Sequence, residues 1–280
     1  MALPAVLPAG EAAMEKLPLV DSRDPKVWST AESTVQPTPA RTKIGDTSWL
    51  WHVQVDHLAG EPKYPIGWPR LAHSIPAGPR RDWSDWEFLH LWIYVDTPRD
   101  ALPREPAGLG LHTPDRAGAF NRPLTELRKG EWVELKLPLT QIPRHHDVRQ
   151  IQFHIAESNY RHGDIVDFYI NDLALLRYAT PTLLGVAAES AVMFADARQI
   201  PIMLQLAGVK PAQHAVVECE LRRVGKVFAR TGAHAPRGNF RVVLAPGSAA
   251  LAPGDYEIKA RIAGAPAITA KLRLVESPWK

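Results

Sequence analysis

Several kinds of protein are excluded by what the sequence lacks. Its 280 residues hold one cysteine, Cys219, so there is no intramolecular disulfide and no multi-thiolate zinc site. In VVECELR it alternates with Val217 and Leu221 and reads as a packed core thiol. No run approaches the ~20 apolar residues of a membrane-spanning helix, and no stretch sustains a helical period. None of the glycines forms a phosphate-cradling loop between a strand and a helix, so nucleotide binding is set aside. An excess of one charge is also missing: residues 1–180 carry 20 Lys and Arg against 23 Asp and Glu, and the remainder 13 against 7. Neither half is basic enough for a nucleic-acid surface. The opening MALPAVLPAGEAAM has no basic n-region of the kind that begins a signal peptide.

What is present points to strands. The 26 Pro and 18 Gly punctuate short apolar runs, the texture of strands joined by turns. The length suits two domains, each burying its own core. They differ in kind, because eight of the nine tryptophans (Trp28, Trp49, Trp51, Trp68, Trp83, Trp86, Trp92 and Trp132) fall in the first half. After a flexible N-terminus over 1–17, strands are expected near 27–29, 33–36, 49–55, 70–76, 88–95, 108–113, 131–139, 148–157 and 166–178. Short strands at this spacing make an antiparallel two-sheet sandwich over 18–179. Beyond the linker TPT (180–182), seven alternating runs from AVMFA to ITAKLRLVE predict an immunoglobulin-like sandwich over 180–280 that serves as a spacer.

The run EFLHLWIYVD carries the functional question. Leu89, Leu91, Ile93 and Val95 alternate with Phe88, His90, Trp92 and Tyr94, so one strand face is aliphatic and the other aromatic and polar. The aliphatic register assigns Trp49, Trp51, Val53, Val55, Leu109, Leu111, Val133, Leu135, Leu137, Ile151, Phe153, Ile155, Val166, Phe168 and Ile170 to the core. The opposite register collects His52 and Gln54, His90, Trp92 and Tyr94, His112, Glu134 and Lys136, Gln152 and His154, and Asp167 and Tyr169. Rings interleaved with hydrogen-bonding side chains suit a groove for a polysaccharide or oligosaccharide. In that reading Trp92 and Tyr94 are platforms, and His52, Gln54, His90, His112, Gln152 and His154 hold hydroxyls. Trp83, Trp86, Asn159 and Tyr160 rim the groove. The pooled set spans strands that need not share a sheet, and the competing reading has a loop or the second domain covering Trp92 and Tyr94.

The order of VDSRDPKVWS, IGDTSWLWHVQVD, DWSDWEFLHLWIYVD, GEWVELKLPL and FYINDLALL over roughly residues 18–178 resembles the jelly-roll, galactose-binding-like modules that accompany polysaccharide-degrading enzymes. YPIGWPRL (64–71) resembles a stretch in the N-terminal non-catalytic region of β-N-acetylhexosaminidase-like glycoside hydrolases. These resemblances imply an all-β chain of two sandwiches, jelly roll then immunoglobulin-like, with no catalysis of its own. They also imply a secreted or periplasmic setting, and a C-terminal catalytic domain as partner if the chain is a fragment. They further imply a structural Ca²⁺ between the acidic opening and the last strand, with Asp21, Asp24 and Asp172 as oxygen ligands. Asp24 before Pro25 equally suits a turn cap.

Enzymatic readings rank lower. TELR (125–128) and QFH (152–154) are similar to strand motifs of alginate-lyase-like jelly rolls, whose later Tyr-Phe-Lys motif is absent here. Paired carboxylates for glycoside hydrolysis need to face each other, and strand parity offers only Glu134 with Asp167 or Asp56. His145 and His146, adjacent in a loop beside Pro143, do not converge on a metal.

Overall fold

The computed structural model describes residues 13–21, 24–59, 66–114, 120–247 and 251–279. Among these the regular elements are β-strands and short 3-10 turns, and no helix is long and apolar enough to cross a membrane. The chain divides into two units, one of Lys16–Leu176 and one of Arg177–Lys280 that also takes residues up to Glu15.

The strands from the N-terminus to the end of the first unit are β1 (Met14–Pro18), β2 (Ser29–Ala31), β3 (Thr34–Thr38), β4 (Ser48–Gln54), β5 (Arg70–Ser74), β6 (Phe88–Asp96), β7 (Gly108–His112), β8 (Phe120–Pro123), β9 (Trp132–Pro138), β10 (Gln150–His154) and β11 (Ile165–Tyr178). They build two sheets. The first runs β3-β4-β11-β6-β9 with β1 also paired to β11, and the second runs β2-β5-β10-β7-β8. Neighbours along both orders are antiparallel.

The period of two explains the core. Leu89, Leu91, Ile93 and Val95 of β6 are all at most 2% exposed, as are Trp49, Trp51, Val53 and Val55 in and just after β4. Leu109, Leu111, Ile151, Phe153, Ile155, Val166, Phe168 and Ile170 are buried with them, while Val133 is partly buried against the same cluster. Each buried side chain of this size contributes about 1.5–3 kcal/mol. A slip of one residue in any strand would turn its whole set outward, so the register is strongly specified. Trp51 stacks on Phe168 at 4.9 Å between ring centroids.

Three elements differ from the sequence reading. Met14–Pro18, all but its last residue inside the stretch expected to be flexible, forms β1, and the backbone of Leu19 just beyond it donates to Leu173 O at 3.0 Å. The residues of β1, MEKLP, set two charges side by side and do not alternate, so the strand left no pattern to read. Phe120–Pro123 forms β8, a four-residue edge strand that ends in a proline, which an edge tolerates. The expected strand at 27–29 is instead a 3-10 turn, Pro25–Val27, leading into β2.

The second unit contains β12 (Thr182–Ala188), β13 (Val192–Phe194), β14 (Ile200–Ala207), β15 (Ala215–Arg223), β16 (Lys226–Ala235), β17 (Gly238–Leu244), β18 (Gly254–Ile262) and β19 (Ile268–Val275). One sheet runs β12-β14-β17 and the other β13-β19-β18-β15-β16. β13 lies parallel to β19. Thr182, expected in a linker, begins β12. Ile202, Leu204, Val217, Cys219, Leu221, Ile258 and Ala260 are fully buried, and burial pushes the Cys219 thiol up to about 12. It is an inert core group, since thiolate chemistry needs the opposite shift.

Candidate functional site

Cross-strand register decides which of the candidate residues meet. Tyr94 stands opposite Tyr169 and Trp132, and Trp92 opposite Asn171 and Glu134. Asp167 stands opposite His52 and Asp96. His52, Gln54, His90, Trp92 and Tyr94 therefore share the outer face of the first sheet. His112 stands opposite Gln150, while Gln152 and His154 stand opposite Gly110 and Gly108. These belong to the outer face of the second sheet, on the far side of the core. The single groove expected from parity is two separate surfaces, because parity sorts in from out without saying which sheet a strand joins.

On the first surface the rings are already occupied. The segment between β3 and β4 lies over them: Lys43 Nζ is 4.6 Å from the Trp92 ring centroid and the Arg41 guanidinium carbon 4.5 Å from that of Tyr94. Arg41 also donates to Asp96 Oδ2 at 3.0 Å. This cover is tied down by Asn171, which accepts from Ile44 N at 2.8 Å and donates to Ile44 O at 3.1 Å and Thr47 O at 2.9 Å. Neighbouring rings close the sides, with Tyr94 to Trp132 at 5.6 Å and to Tyr169 at 5.8 Å. The imidazoles are taken as well. His52 Nδ1 pairs with Asp167 Oδ1 at 2.6 Å. His90, 5% exposed, donates from Nε2 to Glu134 Oε1 at 3.0 Å. Trp92 and Tyr94 are half-buried, and a sugar stacking on either ring from the loop side would have to displace the cation that lies over it. Gln54 remains exposed at the end of β4.

The second surface is different. β7 presents Gly108 and Gly110 outward, and a Cβ at Gly108 would sit 2.4 Å from His154 Nε2, whereas one at Gly110 would sit 3.5 Å from His112 Nε2. The two imidazoles thus lie over bare backbone, and at Gly108 a larger residue would displace His154, whereas at Gly110 a Cβ would meet His112 only at ordinary contact distance. Burial and then the neighbouring His112 lower the pKa of His154 from 6.5, favouring a neutral ring, and its Nδ1 has no hydrogen-bond partner. Trp68, 54% exposed, packs edge-on against His154 at 5.4 Å. Beside them is a cavity of about 160 Å³ lined by residues that include Glu105, Gly108, Asn121, His154 and Asn159.

Trp68 is held by its backbone. Its N–H donates to Glu32 Oε2 at 2.5 Å, and the preceding Gly67 N–H to Glu157 Oε2 at 3.0 Å. Glu157 is 2% exposed and its other oxygen accepts from Asp56 N at 3.1 Å. Gly67 is required here, since a Cβ would fall 2.6 Å from the Glu157 carboxylate and 2.7 Å from that of Glu32. The sequence pattern gives Trp68, within YPIGWPRL, no place in the site. The available signal was a tryptophan outside every alternating run and followed by proline, a ring with no core register to fill. Tyr64, in the same stretch, lies outside the described residues.

Of the expected rim, only Asn159 lines this cavity. Trp83 is fully buried and donates to Arg80 O at 3.1 Å. Tyr160 is 4% exposed, with its hydroxyl on Pro106 O at 2.7 Å, and burial raises its pKa. Trp86 is partly buried against the core.

The calcium ligands do not gather. Asp24 caps the 3-10 turn by accepting from Lys26 N at 3.0 Å, and Asp172 is bound by the Lys16 ammonium. Among the described residues no three His, Cys, Asp or Glu side chains are grouped to hold a metal. Asp21, Asp24 and Asp172 thus do not form a carboxylate cluster for the ion. The catalytic candidates are similarly committed. Arg128 of TELR bonds to Thr125 O at 2.9 Å and Leu127 O at 2.8 Å, Glu134 and Asp167 each hold a histidine, and His145 Nδ1 bonds to Ile142 O at 3.0 Å.

No protein-family model matches the chain, and no curated protein matches it. Among solved structures, Ruminococcus gnavus beta-glucuronidase is similar at 9% identity and a TM-score of 0.24, over 97% of this chain and 46% of that one. The same enzyme in complex with uronic isofagomine gives 9% identity and a TM-score of 0.25, over 98% and 47%. A beta-glucuronidase from glycoside hydrolase family 2 gives 9% and 0.26, over 96% and 31%. The chain thus spans less than half the length of these structures. Likeness at this level assigns it neither a family nor an activity.

Proposed function

We propose that the chain is a non-catalytic carbohydrate-binding module with a spacer domain, an accessory to a polysaccharide-degrading enzyme, and that its ligand face is the outer surface of the second sheet. The observation that carries this reading is Trp68, an exposed indole fixed by its backbone beside a neutral imidazole and a polar cavity. An indole face takes the C–H surface of a sugar ring, while Gln152, His112, His154, Asn121 and Asn159 supply donors and acceptors for its hydroxyls. A polymeric ligand of this kind is met outside the cytoplasm, which agrees with the resemblance of the first sandwich to secreted modules.

The reading predicts retention of the full chain on at least one member of a panel of immobilised plant, algal and bacterial glycans. No retention on any of them would leave the chain a purely architectural pair of domains. Incubation with uronate polymers should produce no absorbance from a new C=C bond, and its appearance would restore the lyase alternative.

A further inference from the structure

We infer that the Lys16 ammonium is the resident cation of the first sandwich, standing where the resemblance implies calcium, and that the unit folds without a metal. β1 and the last strand, β11, meet at that place. β11 carries a bulge between Asn171 and Ala174, in which Asp172 adopts a left-handed backbone at φ 61°. The bulge brings the Asp172 carboxylate, 11% exposed, between two partners: Oδ1 takes Lys16 Nζ, and Oδ2 stands 3.5 Å from His90 Nδ1. A cavity of about 230 Å³ beside it is lined by residues that include Lys16, Asp46, Thr47, Asn171 and Asp172.

The oxygens there are hard donors of the sort Ca²⁺ takes, yet several already have partners. Asn171 Oδ1 accepts from Ile44 N at 2.8 Å, and Asp46 Oδ1 accepts from the Thr47 hydroxyl at 3.2 Å. A dication entering the cavity would also face the ammonium, a like charge at short range. A partly buried carboxylate needs a counter-charge, and a lysine on β1 provides one that no chelator removes. The same pair fastens β1 to β11, a tie that the non-alternating MEKLP does not announce.

Thermal melts of the full chain test this independently of any ligand. The wild type is expected to melt at one temperature in EDTA and in millimolar CaCl₂. Lys16→Ala is expected to lower that temperature by about 2–6 °C, whereas Lys16→Arg, which keeps the cation, stays near the wild type. A wild-type melting temperature that falls in EDTA or rises with Ca²⁺ would overturn the inference. So would a Lys16→Ala protein that melts like the wild type.

Discussion

The two outer faces of the first sandwich hold similar residue types and put them to opposite uses. On the first sheet, Trp92 and Tyr94 lie under Lys43 and Arg41, and the histidines are paired with Asp167 and Glu134. On the second, His154 and His112 lie over glycines, and Trp68 stands exposed beside them. A ring on an outward strand position is thus no sign of a ligand until its cover is known. What separates the faces is a loop with cations to place on one side, and a bare strand with a clamped tryptophan on the other.

The largest effect expected from disturbing this comparison is at Asn171. Its side chain makes three part-buried hydrogen bonds to the covering loop, and Asn171→Ala removes all three and leaves the loop without this anchor. A loss of roughly 3 kcal/mol in denaturant unfolding is expected, together with faster hydrogen exchange at Ile44. Unchanged stability would mean the cover does not depend on this anchor.

Acid should act next, through the interior and the second face. His73 and His154 both have pKa values lowered from 6.5, chiefly by burial. The unfolded chain therefore binds more protons than the folded one below that pH, and stability present above about 6.5 is lost as pH falls toward the depressed folded values. Melting temperature followed from pH 7.5 to 5 should decline, and His154→Gln should flatten part of the slope. A flat wild-type profile would contradict neutral, buried imidazoles. The smallest effect is expected at Lys43: removing its contact with Trp92 by Lys43→Ala should cost about 0.5–1 kcal/mol and create no glycan retention on that face.

The alternation in β4, β6, β7, β10 and the first half of β11, before its bulge, was legible because each of these stretches carries a period of two, and the core register follows from it. The assignment of His112, Gln152 and His154 to a different sheet from Trp92 was not, because strand order is set by long-range pairing that leaves no local mark. The cover over Trp92 was equally hidden, since PARTKIGDT reads as an ordinary polar turn until its cations are placed. Glu157 looked like one more acidic loop residue, and only the fold shows it buried beneath Gly67. The clamp on Trp68 joins segments that lie far apart in sequence, Glu32, Gly67 and Glu157.

Affinity electrophoresis of Trp68→Ala and Trp92→Ala side by side, on a glycan that retards the wild type, tests the central claim most directly. The account predicts that Trp68→Ala weakens retention about tenfold, the loss of one stacking ring, with melting unchanged, while Trp92→Ala is retained like the wild type and melts lower. Retention lost on Trp92→Ala and kept on Trp68→Ala would place the ligand on the first sheet and contradict the account.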